Sequence, residues 1–456
     1  MSALSRGSVC CGRASGRPGR ASGYAAGLIA AVLLVATAVT PGLARADGGD
    51  SGGSSAAARA NDTRFDLDAV RGILSIKQLD GWLLYDNQGQ NPIARELVNP
   101  GNEPRRRWFY LIPVRGEPSA LVHRGDVTGF TRVPGRKLVY TTHRDFTQLL
   151  GTMLKGQRTV AMEYSPRAAL PELSRVDAGT IELIRGLKIA VRSSAELVQL
   201  VKAPWGSDGR LSHHVAAHHL DELRKAALDF VARKIRAGKL VRERDVQRFL
   251  MRGYLTRGLL GPPPIVATGG NTADPHYVPG PGRSAAIKRG DLLLIDMWAK
   301  AKSDGRAIYA DTTWMAYVGK RVPGRYADAF AVVVRVRDAA LQLIEDRTRR
   351  RRAIRGYEVD RLVRTELTRA GHGDHIRHRS GHSLDTAVHG AGANLDDFEV
   401  RDVRNLVVGS GFSLAPGVYL DGDFGVRTEV NVYLGRGGVE VTTPKQTEIT
   451  AILAGE

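Results

Sequence analysis

Two aspartates stand in otherwise apolar stretches of the C-terminal half, in a pattern suited to metal chemistry. Asp296 lies in LLLIDMW, and Asp311, fifteen residues further on, lies in IYADTTWMAYV. A carboxylate buried in a strand is costly unless it is paired or bound to a metal. Taken alone, each aspartate is equally well explained as a turn or cap residue. Antiparallel strands joined by KAKSDGRA would bring the two carboxylates together, and as a pair they indicate a divalent-metal site.

Histidines and a further carboxylate follow along the chain. The segment HIRHRSGHSLDTAVHG (375–390) contributes His378, His382 and His389, and Glu429 lies in a later stretch, FGVRTEVNV. Aspartate, histidine and glutamate together form a ligand set suited to Mn, Co, Zn or Fe. Two such ions about 3.5–4 Å apart can bridge a water, lower its pKa and polarise a carbonyl. The pattern therefore predicts amide hydrolysis that needs no nucleophile from the protein.

The elements that must position these residues begin with an α/β region. Residues from about 63 to 203 alternate helical stretches with short runs rich in aromatic and branched residues, which predicts strands and helices in alternation. The candidate strands are GWLLYD, WFYLIPV, SALVH, KLVYTT and TVAMEY. We expect this first domain to end at a break in APWGSDG, 203–209.

A long amphipathic helix is predicted after the break, in LSHHVAAHHLDELRKAALDFVARKIRAG, with Ser212 as its N-cap. His214 and His218 are one helical turn apart, which is compatible with a metal site. No third ligand is evidently spaced to complete such a site, so solvent-facing histidines are the simpler interpretation.

The rest of the chain carries the chemistry-bearing segments. Two strands around a turn are predicted within 290–319, and two helices near 323–347 and 357–370. The final stretch, 376–452, is β-rich with glycine and proline turns. The carboxylates are thus predicted on strands, and the histidines on the segments between them.

The first 46 residues have the organisation of an export signal. An arginine-rich start precedes the apolar run AAGLIAAVLLVATAV, and GLARA follows, so cleavage is expected after Ala46. The alternative is an uncleaved anchor, for which the apolar run is short. The predicted location is secreted or periplasmic, with no stable membrane anchor after cleavage. Residues 47–62 read as a flexible Gly/Ser/Ala linker.

Cysteine content and charge exclude some classes of site and make a nucleic-acid partner unexpected. Cys10 and Cys11 both lie in the predicted signal, so the cleaved chain has no thiolate metal site or cysteine nucleophile. The formal net charge is +19 at pH 7, which would suit nucleic-acid binding. The basic residues are nevertheless spread along the chain without a recognisable nucleic-acid motif. We therefore expect no nucleic-acid partner, and a solvated surface or attraction to an anionic envelope instead.

Several motifs in order resemble those of one family, the "pita-bread" metallopeptidases, which comprise aminopeptidase P, prolidase, methionine aminopeptidase and the metal-free creatinase. The motifs are IVATGGNTADPHY, LLLIDMWAK, YADTTW, HRSGHSLDTAVHG, FSLAPGVYL and FGVRTEVNV. The resemblance covers most of the chain after the signal. It implies a creatinase-like α/β N-terminal domain over 63–203 and an α+β pita-bread domain over 210–456, in which curved antiparallel sheet is backed by helices. It also makes a homodimer possible.

The resemblance assigns roles residue by residue. Asp296 and Asp311 match two aspartate metal ligands, His382 matches the histidine ligand, and Glu429 matches a bridging glutamate. The implied cofactor is one or two divalent ions per chain, Mn, Co or Zn.

The remaining residues of the motifs are assigned to the substrate. His276, His378 and His389 match histidines that bind substrate and move protons around the scissile bond. Arg427 matches an arginine often found beside the last ligand, and we assign it to substrate binding.

Two positions depart from the family pattern. Ala415, in FSLAPGV, stands where the family has a glutamate that binds metal and can exchange a proton with the bridging water. Asp385 stands where the family usually has glycine. Three ligand carboxylates would leave a two-ion site with excess positive charge and an open position, which a water or Asp385 could fill. Loss of a ligand weakens metal binding or activity, since loss of a supporting group alone typically costs about 10–100-fold.

Three functions stay open at this point. The first is an exported aminopeptidase or dipeptidase that uses metal-activated water on peptides with proline in second position. The second is an impaired relative with a mononuclear or empty metal site, which binds a peptide or a small metabolite. The third is a metal-free, creatinase-like amidinohydrolase, against which the retained ligand positions argue.

Overall fold

The computed structural model describes residues 65–302 and 305–455, so the predicted signal and linker, 1–46 and 47–62, lie outside the described residues. The helices are α1 (Leu67–Ile76), α2 (Pro92–Val98), α3 (His143–Met153), α4 (Ala178–Gly186), α5 (Ala195–Lys202), α6 (Gly206–Arg236), α7 (Glu243–Thr256), α8 (Gly324–Arg349) and α9 (Gly356–Arg369). The strands are β1 (Gly81–Asp86), β2 (Trp108–Pro113), β3 (Ser119–His123), β4 (Arg136–Tyr140), β5 (Thr159–Met162), β6 (Ala190–Ser193), β7 (Leu259–Leu260), β8 (Ile265–Thr268), β9 (Leu292–Ala301), β10 (Ala310–Tyr317), β11 (Ser383–Leu384), β12 (Gly411–Leu414), β13 (Gly417–Leu420), β14 (Phe424–Arg427), β15 (Val430–Gly435), β16 (Gly438–Val441) and β17 (Thr450–Ala451).

A six-stranded mixed sheet organises the N-terminal half, in the order β4-β3-β2-β1-β5-β6. Its central strand β1 is buried on both faces, because Trp82 and Leu84 pack into one apolar cluster while Leu83 and Tyr85 pack into another. Successive side chains of a strand point to opposite faces, so helices can cover both sides. Helices α1, α2 and α5 cover one face, and α3 and α4 cover the other. The five strands predicted here are confirmed, and β6 is an additional strand.

Helix α6 joins the two halves and begins earlier than the sequence suggested. It starts at Gly206, directly after the buried Trp205, rather than at Ser212. Ser212 is not an N-cap, since its hydroxyl donates to the carbonyl of Gly209 inside the first turns. The predicted break at 203–209 was therefore wrong for residues 206–209, which belong to the helix. The predicted domain limits, 63–203 and 210–456, stay predictions.

The C-terminal half is built from small sheets backed by long helices. Strand β9 pairs antiparallel with β10, with Asp296 opposite Thr313 and Asp311 opposite Trp298. A second sheet has the order β11-β12-β15-β16, and β13 pairs with β14. Helices α8 and α9 pack on one side of the β9–β10 pair, and α6 and α7 pack on the other. The predicted strand pair and the two predicted helices are confirmed.

Two apolar clusters hold this half together and separate the faces of β9. Leu292 and Leu294 belong to the cluster with α8 and α9, whereas Leu293 and Ile295 belong to the cluster with α6 and α7. No helix in the described part of the chain is both long enough and apolar enough to span a bilayer.

Candidate metal centre

The register of β9 and β10 decides where the two aspartates point. Asp296 follows the even-numbered positions of β9, so it shares the face of Leu292 and Leu294. On β10, Asp311 and Thr313 are two residues apart and therefore share one face, with Thr313 directly opposite Asp296. Diagonal neighbours on such a pair are within reach of each other's side chains. Both aspartates therefore face the sheet that leads to Glu429.

Asp296 is held by Arg427 and shares the single proton of the Thr313 hydroxyl with Glu429. The Arg427 Nη2 group donates to Asp296 Oδ2 at 2.6 Å. The Thr313 hydroxyl lies 3.0 Å from Asp296 Oδ1 and 2.8 Å from Glu429 Oε2, and it accepts a bond from Arg427 Nε at 3.0 Å. Arg427 is buried, with 6% of its surface exposed. It thus lies against a predicted ligand, and its assignment to substrate binding stays a prediction.

Asp311, His382 and Glu429 form a compact group. One possible ligand atom from each lies within 4.8 Å of the others, and His382 Nε2 is 3.5 Å from Asp311 Oδ2. Asp311 Oδ1 is buried and has no hydrogen-bond partner among the described residues. Burial, and then the neighbouring carboxylates, raise the pKa of Asp311 and of Glu429 well above the usual range. A divalent cation between these three side chains would satisfy the orphaned oxygen and offset the repulsion.

His378 is placed by a tyrosine that the sequence analysis missed. Its Nδ1 lies 2.7 Å from the Arg379 carbonyl, so this nitrogen carries the proton, and its Nε2 accepts from the Tyr419 hydroxyl at 2.7 Å. Arg427 Nη1 in turn donates to Tyr419 at 3.3 Å. Burial, and then the Arg427 charge, lower the pKa of His378 to about 3. Nothing in GVYL except a hydroxyl among apolar neighbours could have indicated the role of Tyr419.

His389 and His276 occupy different surroundings. The His389 ring stands nearly perpendicular to that of His382, with the centroids 4.5 Å apart. Burial lowers the pKa of His382 and of His389 to about 4. His276 is exposed on the loop after β8, yet it is near enough to lower the pKa values of His378 and His389. His389 therefore contacts a candidate ligand directly, whereas His378 contacts Tyr419 and His276 is near the other two accessory histidines.

The two departures from the family pattern are now located. Leu414 pairs with Val430, so the next position, Ala415, faces Glu429 in the continued register, and it is buried with 8% exposure. Asp385 does not turn toward this position, because its two oxygens accept the backbone amides of Ala387 and Ala391. The suggestion that Asp385 replaces the missing ligand is therefore not supported by its contacts.

His214 and His218 reach solvent as expected, with side chains 39% and 70% exposed, but other features of α6 differ from the sequence interpretation. His213 is fully buried, with its ring nitrogens 2.8 Å from the Tyr309 carbonyl and 2.7 Å from the Thr442 hydroxyl. His218 and His219 approach Glu222, one turn further along, and their ligand atoms lie within 4.8 Å. A carboxylate is thus spaced to meet this pair, which the sequence analysis overlooked. The group is largely exposed, and Arg257 also contacts Glu222.

Comparison with known proteins places these observations in a family. Residues 216–436 match the profile described as Metallopeptidase family M24. The "Probable dipeptidase PepE" of Mycobacterium tuberculosis is 29% identical over 171 residues, 36% of this chain. The matched segment spans only 40% of that relative's length.

Solved structures share the fold over a longer stretch. Dipeptidase PepE from Mycobacterium ulcerans has a TM-score of 0.63 and 18% identity, covering 85% of this chain and 96% of its own. The prolidase from Thermococcus sibiricus has a TM-score of 0.58 and 20% identity, covering 84% and 98%. These likenesses confirm the predicted fold, an α/β N-terminal region followed by a pita-bread region.

Proposed function

Residues 216–436 belong to metallopeptidase family M24, and on that premise we propose that the protein is an exported aminopeptidase or dipeptidase for peptides with proline in second position. The observation that carries this proposal is the convergence of Asp311, His382 and Glu429 within 4.8 Å. The names of similar proteins, a dipeptidase and a prolidase, support the substrate class. Export rests on the sequence pattern of the first 46 residues alone.

The donor set fits a divalent cation, which we propose to be Mn, Co or Zn, one or two per chain. Three protein ligands are typical of catalytic sites, which keep a coordination position open for water or substrate. When bound, such a cation supplies Lewis-acid polarisation of the scissile carbonyl and lowers the pKa of a water. Asp311 and Glu429 would hold the cation as carboxylates, and His382 would contribute a neutral imidazole.

Arg427 and Thr313 keep the carboxylates in place. Arg427 fastens one oxygen of Asp296, and Thr313 links Asp296 to Glu429. Supporting hydrogen bonds of this kind orient ligand side chains and raise the precision of a metal site. The network ties Asp296 on β9 and Glu429, which directly precedes β15, to Thr313 on β10.

The histidines divide the handling of substrate and protons. His378 and His389 are neutral at pH 7, because burial lowers the pKa of His378 to about 3 and that of His389 to about 4. A neutral His389 can bind a peptide carbonyl or amide group without adding positive charge, whereas His378 would first have to release the Tyr419 hydroxyl. His276 is the exposed member, so it is the one placed to exchange a proton between the leaving amine and solvent.

The direct test is hydrolysis of Xaa-Pro dipeptides, matched Xaa-Ala dipeptides and longer peptides with proline second. The purified protein is loaded with Mn²⁺, Co²⁺ or Zn²⁺, and chelated protein and Asp311→Asn serve as controls. Chelator-sensitive cleavage that prefers proline is expected. Cleavage of dipeptides alone indicates a dipeptidase, whereas cleavage of longer peptides indicates an aminopeptidase.

Ala415 favours a second candidate, a binding protein with an impaired metal site. This buried position beside Glu429 offers no ligand atom. No cleavage by the wild type, together with cleavage by Ala415→Glu, would contradict the peptidase proposal and favour this candidate. Retention of an unhydrolysed Xaa-Pro peptide by the wild type, measured by calorimetry, would then identify what it binds.

A further inference from the structure

We propose that Asp385 is a positioning residue that fastens the turn carrying His389, and that Gly390 is glycine because the Asp385 carboxylate occupies its side-chain space. The proposal rests on the proposed function for the roles of His382 and His389. The turn in question, residues 385–391, connects these two histidines and is called the histidine turn below.

The Asp385 carboxylate closes the histidine turn from inside. Its Oδ1 accepts the amide of Ala387 at 2.7 Å, and its Oδ2 accepts the amide of Ala391 at 2.7 Å. The Asp385 amide donates to the Ala387 carbonyl at 3.1 Å. Only 2% of Asp385 is exposed. Hydrogen bonds from backbone amides to a carboxylate are among the stronger ones in proteins. One side chain therefore holds both ends of the turn.

Gly390 makes room for this carboxylate. A Cβ atom built at Gly390 would lie 2.9 Å from Asp385 Cγ, from Asp385 Oδ2 and from Ser383 Oγ. Real Cβ atoms do not approach neighbours this closely, so any side chain at 390 would displace the carboxylate and the serine hydroxyl. The backbone of Gly390 is outside the left-handed region. Space, rather than backbone conformation, is therefore the reason for glycine at this position.

Two basic side chains hold the outside of the histidine turn. Lys300 Nζ donates to the Thr386 carbonyl at 2.6 Å, and Lys300 lies on β9, the strand that carries Asp296. Arg404, which is buried, donates from Nη1 to the Ala391 carbonyl at 2.9 Å. The turn is thus tied both to its own carboxylate and to the frame of the metal centre.

The histidine turn acts on the candidate ligand as well as on His389. The rings of His382 and His389 are nearly perpendicular, with centroids 4.5 Å apart, and the Val388 backbone is within hydrogen-bonding range of the His382 ring. A partner of this kind fixes the orientation of a metal-binding imidazole. Asp385 therefore affects metal binding through the turn, although it is not a ligand.

The test is an exchange of the two residues, in the full-length protein. Asp385→Gly removes the carboxylate, Gly390→Asp alone introduces a clash, and the double variant returns a carboxylate to the same space from the other side. Asp177→Asn is the matched control, because Asp177 also binds a backbone amide but caps α4 in the N-terminal half. If Asp385→Gly does not fold, Asp385→Asn, which retains one acceptor oxygen, replaces it in the experiment.

Two readouts do not depend on peptidase activity. In metal-free protein, hydrogen exchange of the Ala387 and Ala391 amides is expected to rise about tenfold or more in each single variant, and to return toward wild type in the double variant. Co²⁺ affinity is expected to fall about tenfold in the single variants and to recover in the double variant. Asp177→Asn should change neither quantity.

The outcomes separate this proposal from the proposed function. Unchanged exchange in Asp385→Gly, or a double variant no better than the singles, would overturn it. Faster exchange with unchanged Co²⁺ affinity would also overturn it, because the aspartate would then be merely structural. A wild type that binds Co²⁺ but cleaves no peptide would refute the peptidase alone. If the wild type binds no Co²⁺, the metal centre fails and the exchange result alone decides on the role of Asp385.

Discussion

Two buried carboxylates, less than 70 residues apart in the chain, differ in their hydrogen-bond partners. Glu243, on α7, accepts four hydrogen bonds: from the Thr268 and Ala285 amides, the Asn271 side chain and the Tyr277 hydroxyl, at 2.6–2.8 Å. Asp311 has one oxygen without any partner among the described residues, and the other is only 3.5 Å from His382. Both side chains are nearly or fully buried.

The difference distinguishes a structural carboxylate from a candidate ligand. A buried charge without partners is costly, so a carboxylate that only stabilises a fold is expected to be surrounded by donors. Glu243 meets this expectation, and by binding Thr268 and Ala285 it holds both ends of the loop that carries His276. Asp311 does not meet it, and burial, together with the neighbouring Asp296 carboxylate, raises its pKa well above the usual range. A site left short of donors is prepared for an added cation.

Asp311→Asn gives the largest expected effect. Loss of a ligand should weaken divalent-metal affinity by more than about 100-fold, because loss of a supporting group alone typically causes 10–100-fold. The metal-free protein should keep its stability, since the substitution removes repulsion among carboxylates. Titration with Co²⁺ and urea unfolding of the metal-free protein measure the two quantities. Equal affinity in wild type and variant would place the cation elsewhere.

Glu243→Gln should show the reverse pattern. The new amide group would face donors rather than accept from them, which should lower the free energy of unfolding by about 3 kcal/mol. Metal affinity should stay within about threefold of wild type, because Glu243 is not among the ligands. Urea unfolding monitored by circular dichroism provides the measurement. If Glu243→Gln strongly weakened metal binding and left the unfolding free energy unchanged, Glu243 would not be a structural carboxylate.

A buried histidine with protein partners, His213, predicts that the free energy of unfolding depends on pH. His213 is buried with both nitrogens bonded, and burial lowers its pKa to about 4 from the usual 6.5. The unfolded chain therefore binds a proton first as pH falls. The stability from neutral His213 is complete above pH 6.5 and is lost between pH 6.5 and 4, by up to about 3 kcal/mol.

This dependence is measured by comparing wild type with His213→Gln. The difference in unfolding free energy between the two proteins should shrink steadily from pH 7 to pH 4 in the metal-free state. A difference that stays constant over this range would show that His213 does not titrate as its burial requires.

Ala415→Glu gives the smallest expected effect and sharpens the comparison. It adds a further carboxylate beside Glu429, so divalent-metal affinity should rise about tenfold. The metal-free protein should become less stable, because one more charge is buried without donors. Ala415→Gln is the control, since it is similar in size without the charge. If the glutamine variant gains as much affinity, space rather than charge governs this position.

Local patterns in the sequence were enough for the elements and for the chemistry of the ligands. The apolar run LLLIDMW predicted β9, and aromatic and branched runs predicted β1 to β5, because a short apolar run is typical of a strand that is buried on both faces. The same patterns made Asp296 and Asp311 conspicuous, since a carboxylate interrupts each apolar run. Local signals were less reliable at element ends, since the predicted N-cap of α6, Ser212, lies seven residues after the observed N-cap, Trp205.

Only the tertiary structure decided which residues meet. Thr313 and Glu429 are 116 positions apart and Arg427 and Asp296 are 131 positions apart, so no local pattern contains these contacts. The burial of His213, the part played by Tyr419 and the inward turn of Asp385 depend likewise on how distant segments pack. The sequence by itself indicated which side chains have the chemistry to bind a metal, and it placed Asp296 and Asp311 on strands. Glu429, which was also predicted on a strand, lies between β14 and β15. Packing determined their partners, because hydrogen bonds and burial depend on neighbours in space rather than along the chain.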